Sequence, residues 1–422
     1  MKRLLKNKGY LTLMGAQAIS SIGDWLSIVA IITLVGLKWN ASPLEVSLVI
    51  LCLAIPMALL GPVAGIVADR FNRKWLMIVS DVVRAGLILL LTIVTELWMV
   101  YAILLSVGIF SSVFIPAKNG KLKELVDTED MKGAMSLTSV IDSSTKILGP
   151  LISGLLVTVM GAQMVFLIDS GTFLLSALLL LFLPKTTAQK EKEEKPAQQK
   201  TSFKRELILG ARFIQSSRFM MTGLLLLGLS LLILQLADSQ IIVLIRELTY
   251  ASPDLFGYVV TASGAGMFLA GVLLTKKTDY RAFPLMLSGV CGIGLSFGIM
   301  GVFTNYDFSY SILWATLLGF VAGFSASLIF VPFQASVQVE TPVHMTGRVF
   351  GVINSVTTTA TIIGPLLGGL LSTVFGVIPT FITSASLLVL VSLIGWLVKS
   401  KIERGNADVT TGERGASEAT SG

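Results

Sequence analysis

Long apolar runs recur along this chain, and they restrict its fold more than any other feature. From Leu11 to Leu37 the only charged side chain is Asp24. Comparable runs follow at about 43–68, 76–95, 97–117, 134–160 and 162–184, and again at about 218–245, 253–275, 283–303, 310–333, 348–375 and 377–398. About 20 apolar helical residues cross a bilayer core of about 30 Å. The pattern therefore predicts an all-α integral membrane protein with twelve transmembrane helices. Composition agrees: 54% of the 422 residues are hydrophobic and 14% are charged, where a soluble domain averages about 25% charged. The opening MKRLLKNKGY and the run behind it resemble a secretory leader, but a leader core spans only about 7–15 residues, so an uncleaved first helix is expected.

Lysine and arginine set the expected orientation. Arg70, Arg73 and Lys74 follow the second run, Lys118, Lys121 and Lys123 the fourth, and Lys276, Lys277 and Arg281 the eighth. A dense basic set spans Lys185 to Arg218, whereas the opposite loops hold little beyond Lys38 and Arg246. Positive residues stay inside, so both termini are expected in the cytoplasm and the chain in the cell membrane, as an inner-membrane protein in a two-membrane cell. The same bias accounts for the net charge of +7 without a nucleic-acid partner. Cys52 and Cys291 lie in apolar runs and suit packing rather than a disulfide or metal site. One histidine, His344, excludes histidine-based metal clusters, and no nucleotide loop or triad is visible. No enzyme and no cofactor are expected.

The chain also repeats itself. ILGPLISGLLVTVMG at 147–161 matches IIGPLLGGLLSTVFG at 362–376, a spacing of 215 residues. A duplicated six-helix unit is the economical explanation, and paired halves around a midplane cavity are a common transporter plan. The expected organisation is a first half at 1–184, a cytoplasmic linker at 185–217, a second half at 218–398 and a disordered tail at 399–422. Phe203, Leu207, Ala211 and Ile214 share a helical face amid basic residues, which suggests an interfacial helix inside the linker.

Charges inside the runs are candidate functional sites, because an ionised Asp or Lys at a helix centre costs about 2.5–3.5 kcal/mol. These are Asp24, Asp142, Lys146, Asp169 and Asp238. Asp142 and Lys146 stand i, i+4, close enough for an internal ion pair or for competition by a proton or a cationic substrate. Asp169 and Asp238 lie about two turns from the outer helix ends, where water could reach them. Asp81 and Arg84, spaced i, i+3, suit a mutual pair or one with the nearby loop. Asp24 falls near the midplane with no base within a turn, so a partner must come from another helix; Ser20, Ser21 or Ser27 could instead hold it. Burial disfavours a charged carboxylate and hydration favours it, so an acid whose surroundings alternate can take up and release a proton.

The loop GIVADRFNRKWL, residues 65–76, resembles the G-x-L-x-D-R-x-G-R-K motif of the major facilitator superfamily. Gly65, Asp69, Arg70, Arg73 and Lys74 match; Val67 stands for Leu and Asn72 for the second Gly, the latter a mild change if the turn needs φ > 0. The resemblance implies two six-helix bundles and a gate in which Asp69 latches onto the eleventh helix near Gly347 and Arg348. The Gly-Pro segments are similar to the helix-bending G-x-x-x-G-P-x-x-G-G motif of proton-driven exporters, through Gly149, Pro150 and Gly154 and, more fully, Gly364, Pro365, Gly368 and Gly369. GAQAISSIGD, SDVVRA and FLIDSGTFLLSA narrow the resemblance to the macrolide-efflux branch, which includes siderophore exporters. What this implies is a monomeric drug:proton antiporter for small amphipathic compounds, driven by the proton-motive force. A siderophore exporter or a lysolipid-type transporter on the same fold, an importer, and a non-transporting receptor or scaffold are the competing readings.

Overall fold

The computed structural model describes residues 3–127, 130–184, 203–252, 254–276, 280–342 and 345–419. For some helical residues, among them Asp142, Lys146 and the stretch 400–419, the description stops at the backbone. The first half holds α1 (Lys8–Thr33), which ends in a wider turn at Leu34–Lys38, then α2 (Pro43–Arg70), α3 (Arg73–Leu90) and α4 (Leu97–Leu125). Helical backbone from Met131 to Leu181 is interrupted at Gly161 (φ 78°, ψ 162°), which separates α5 (131–160) from α6 (162–181). α7 (Phe203–Ser216) lies between the halves. The second half holds α8 (Arg218–Asp238), the short α9 (Ile241–Arg246), α10 (Leu255–Lys276), α11 (Ala282–Asn305), α12 (Ser311–Glu340), α13 (Thr346–Phe375) and α14 (Val377–Ala419).

Local chemistry explains the boundaries. Ser42 and Glu45 form a reciprocal capping box at the start of α2, with Pro43 at the first helical position. Gly161 and Gly376 end the two repeated segments, both at positive φ that only glycine adopts without strain. Among the described residues, ten helical spans are long and apolar enough to cross a membrane. One of them, Ile147–Leu181, straddles Gly161 and counts twice, and α3 is left out of the ten because it carries Arg73, Lys74, Asp81 and Arg84. Twelve crossings result, at the expected places. Lipid-facing sides stay apolar, as at Leu313 and Leu317 of α12 or Leu393 and Leu397 of α14.

In the first half α1 packs on α5 and α6, and α3 on α4 and α6; in the second, α8 packs on α13 and α14, and α10 on α12. The halves meet where α2 lies on α13 and α5 on α10. One hydrophobic core runs through both halves, joining Leu26, Val29 and Ile31 of α1 to Ile242 and Val243 of α9. A second core belongs to the first half alone, with Tyr10, Leu13 and Met14 against Met77, Phe114 and Leu180. It lies toward the end that carries the basic loops, the basic end. Glycines trace the same divergence along α5 and α10. A methyl on Gly257 would overlap Thr158, and one on Gly264 would stand 2.8 Å from the Leu151 Cα, but on Gly271 it would meet Ile147 only at 3.6 Å. α5 and α10 are thus in close contact at the opposite end and part toward the basic end.

Helical backbone is described as far as Ala419, within the stretch 399–422 where a disordered tail is expected. Asn72 has φ −64°, not a positive φ; it is the N-cap of α3, its side chain accepting from Trp75 N at 3.3 Å. A helix, α7, forms where the interfacial helix is expected, with Ile214 buried and Gly210 lying against the Arg348 backbone. The linker at 185–202 lies outside the described residues.

Candidate transport site: a charge cluster inside the first half

One face of α3 buries Met77, Ser80, Asp81, Arg84 and Ile88, so helical spacing alone carries a charged pair into the protein. Arg84 is 2% exposed and Asp81 is fully buried. Arg84 Nη2 donates to Asp81 Oδ1 and, at 3.2 Å, to Ser20 Oγ of α1. Its Nη1 donates to Asp24 Oδ1 and to Ser111 Oγ of α4, both at 3.4 Å. The guanidinium plane also lies over Phe173 at 4.3 Å and Phe114 at 4.9 Å. A planar, permanently charged fork can hold several acceptors while stacking on rings, which a lysine cannot. Ser176 Oγ of α6 completes Asp81 by donating to Oδ2 at 2.6 Å.

Asp169 stands beside this network on α6, fully buried. It accepts from Ser27 Oγ of α1, and its Oδ1 is 3.1 Å from Thr172 Oγ1. Gly23 allows this approach, since a methyl there would overlap Asp169 Oδ1 and Thr172 Oγ1. Thr172 has one hydroxyl proton and sits closer, at 2.7 Å, to the Asp169 backbone oxygen. Its one proton can go to either oxygen, so Thr172 is a donor that the Asp169 carboxyl shares with its own backbone. α6 thus points Asp169, Phe173 and Ser176 into one polar core by i, i+4, i+7 spacing.

Asp24 differs from the other two acids. It lies about 24 Å along α1 from Lys8, at mid-helix, yet its side chain is 46% exposed. The partner from another helix is Arg84, and the candidate serines serve other groups, Ser20 the guanidinium and Ser27 Asp169. The Asp81 and Arg84 pair forms as expected, but with Asp24 rather than with the loop. Asp169 is no wet outer-mouth residue: packing of α6 on α1 seals it. Asp238 ends α8 and is exposed, apart from the cluster. The Asp142 and Lys146 side chains lie outside the described residues. Ser111, Phe114, Phe173 and Ser176 were not foreseen, because a serine or phenylalanine in an apolar run carries no signal until neighbouring helices are placed.

At the basic end, Asp69 is 77% exposed and pairs with Arg73, at 3.4 Å. Among the described residues Asp69 makes no ion pair with α13. Arg73 Nη1 also meets Glu124 Oε1 of α4 at 2.6 Å, across the bare backbone of Gly120. Lys74 Nζ donates to the carbonyls of Leu181 and Leu183, both at 2.7 Å, capping the end of α6. Arg70 is exposed, and Gly65 faces open space. The Gly-Pro segments work mainly by packing. Gly149 admits Trp25 of α1 and Gly154 meets the Gly257 carbonyl of α10, while Gly364 and Gly368 pack on α8 and Gly369 on Ser47 of α2. Pro150 and Pro365 stand inside helices that remain continuous.

Among the described residues, two related bundles of long apolar helices with charges held at mid-membrane are the architecture of a membrane transporter. Residues 13–360 and 241–419 match the Major Facilitator Superfamily, and the chain belongs to that superfamily; it is a multi-pass membrane transporter, not an enzyme. It is 39% identical over 425 residues to the uncharacterized MFS-type transporter YfiS of Bacillus subtilis, covering 98% of this chain and 99% of that one. It is 24% identical to macrolide efflux protein A of Streptococcus pyogenes, over 91% of this chain and 94% of the relative. A multi-drug resistance efflux pump PmrA homolog of Lactococcus lactis is 26% identical, over 81% of each chain. Among solved structures, the nucleoside transporter NupG superposes with a TM-score of 0.69 at 13% identity, covering 92% of this chain and 98% of that one. A bacterial homolog of the human lysosomal transporter Spinster, inward-facing and unoccupied, gives 0.66 at 13% identity, covering 94% and 98%.

Proposed function

We propose that this protein is a proton-coupled antiporter that exports small amphipathic organic compounds by alternating access. The observation that carries the reading is the half-exposed carboxylate of Asp24, 3.4 Å from the buried guanidinium of Arg84. Three acids, Asp24, Asp81 and Asp169, share one base, so the cluster with every acid ionised would bear a net charge of −2 inside a bilayer. Protonation relieves that charge. Asp81 remains the ion partner of Arg84, Asp169 keeps its proton as a structural donor, and Asp24 exchanges with the cleft.

In the proposed orientation the basic end and both termini face the cytoplasm of the cell-membrane protein, so the described conformation is inward-facing. Asp24 then releases its proton to the cytoplasm and leaves a carboxylate in the cleft, where cargo enters. Closure of the basic end re-forms the Asp69 contact with α13 and turns Asp24 toward the outside, where protonation resets the cycle. The efflux relatives support the direction of transport, and the mostly apolar helix faces support amphipathic cargo. The protein acts as a monomer, with no cofactor beyond the proton gradient.

Inverted vesicles test the proposal. Erythromycin or ethidium uptake should follow an imposed proton gradient, and Asp24→Asn should reduce the gradient-driven rate by about tenfold or more while the protein still assembles. Uptake indifferent to the gradient, or unchanged in Asp24→Asn, rules out this coupling site.

A further inference from the structure

A cavity of about 680 Å³ lies at the end of the bundle opposite the basic loops, between the wide turn that ends α1, the start of α6 and the start of α10. That size is within the range of small-molecule sites, about 300–1,000 Å³. Its rim is polar, with Lys38 at the end of the turn, Gln163 at the start of α6 and Asp254 just before α10, all exposed. Its wall is apolar: Met160, Met164 and Leu167, the last about 9 Å along α6 from Gly161. Gly161 keeps the space open, since its positive φ turns α5 into α6 and nothing lies within 4 Å of where a Cβ would stand.

The two charges on this rim come from different halves, and neither is neutralised. Among the described residues, Lys38 and Asp254 form no ion pair with each other or with any other side chain. A lysine at a helix end ordinarily reaches for water, which accounts for Lys38 alone but not for an opposite charge on the same cavity from the other half. Met160, Met164 and Leu167 are each close to half exposed, at the depth where acyl chains begin. The repeated segment of the second half has no such rim: 215 residues on, Ile378 replaces Gln163 and Pro379 replaces Met164. One charge of each sign above an apolar wall is complementary to an amphiphile whose headgroup carries separated positive and negative groups. A small anion would have no use for the wall, and Asp254 would repel an amphiphile with a net negative charge. Unbranched methionines adapt their shape to a flexible chain.

We propose that this cavity seats one zwitterionic phospholipid, with its phosphate on Lys38, its ammonium on Asp254 and one acyl chain along Met160, Met164 and Leu167. The Gln163 amide supplies a further hydrogen-bond donor for the phosphate. In the proposed orientation the lipid comes from the outer leaflet. The site is separate from the cluster of Asp24 and Arg84, and it stands whether or not that cluster couples to protons.

Photo-crosslinking in proteoliposomes tests it. The probe is phosphatidylethanolamine with a diazirine in one acyl chain, and labelled peptides are mapped by mass spectrometry. Labelling should concentrate on residues 160–167 and fall about fivefold in Lys38→Gln and in Asp254→Asn. Both positions are exposed, so the variants should assemble like the parent. Phosphatidylglycerol with the same chain should label this stretch weakly in the parent and more strongly than phosphatidylethanolamine in Asp254→Asn, because the acid that excluded it is gone. Even labelling along all the helices, indifference to both substitutions, or equal labelling of the parent by the two probes overturns the site. So does displacement by erythromycin without preference between headgroups, which would make the cavity a cargo site.

Discussion

The two halves share a scaffold but not a chemistry. Gly149, Ser153 and Gly154 of α5 match Gly364, Gly368 and Gly369 of α13 at a spacing of 215 residues. In the first half Gly149 receives Trp25 and Ser153 Oγ bonds the Leu26 carbonyl; in the second, Gly364 receives Gln235 and Gly368 the Leu236 carbonyl. The last glycine of each set reaches across, Gly154 to α10 and Gly369 to α2. These contacts align α1 with α8 at a spacing of 210, which sets Leu234 opposite Asp24. Ser384, buried at 1%, stands opposite Asp169, and α11, the counterpart of α3, has no charged residue at all. Duplication supplied two bundles that fit each other, and the polar network occupies one of them.

Arg84→Met should have the largest effect, because it leaves Asp81 buried without its counter-charge, at a cost of about 3–5 kcal/mol. Adding Asp81→Leu should restore most of the stability, since a well-packed apolar pair often equals a buried ion pair. Thermal unfolding in detergent checks both, and transport should stay absent in the double variant. A double variant that folds and still couples would dissolve the contrast between the halves.

Smaller effects sharpen the shared scaffold. Gly154→Leu and Gly369→Leu should each cost about 1–3 kcal/mol by overpacking the junction, and by similar amounts. Unequal costs, read from unfolding midpoints, would show that the junction is not symmetric. Smallest is the pair Asp169→Asn and Ser384→Ala. A neutral amide can keep the bonds of a protonated acid, so Asp169→Asn should cost about 1 kcal/mol or less, close to the serine change. A loss of several kcal/mol in Asp169→Asn would mean that Asp169 is ionised.

Much of the fold was legible because bilayer thickness sets the length of every helix and the loops carry the basic residues. The Gly-Pro repeat announced the duplication, and the spacing of Asp81 and Arg84 announced their pairing. The cluster itself was only half visible. Asp24 and Asp169 stood out as acids in apolar runs, but Arg84 could be joined to either only after α1, α3 and α6 were packed. Asn72 was misread because its substitution for Gly suggested a backbone strain that the turn does not have.

By itself, then, the sequence determined twelve crossings, two related halves and a short set of costly charges, since hydrophobic length, repetition and charge are properties of the chain read in order. Which acid meets which base, which is sealed and which is wet, and at which end of the bundle α5 and α10 touch depended on tertiary structure. Those are matters of distance between residues remote in sequence, such as Ser27 and Asp169 or Gly36 and Arg246. Periodicity within one helix carries no information about them.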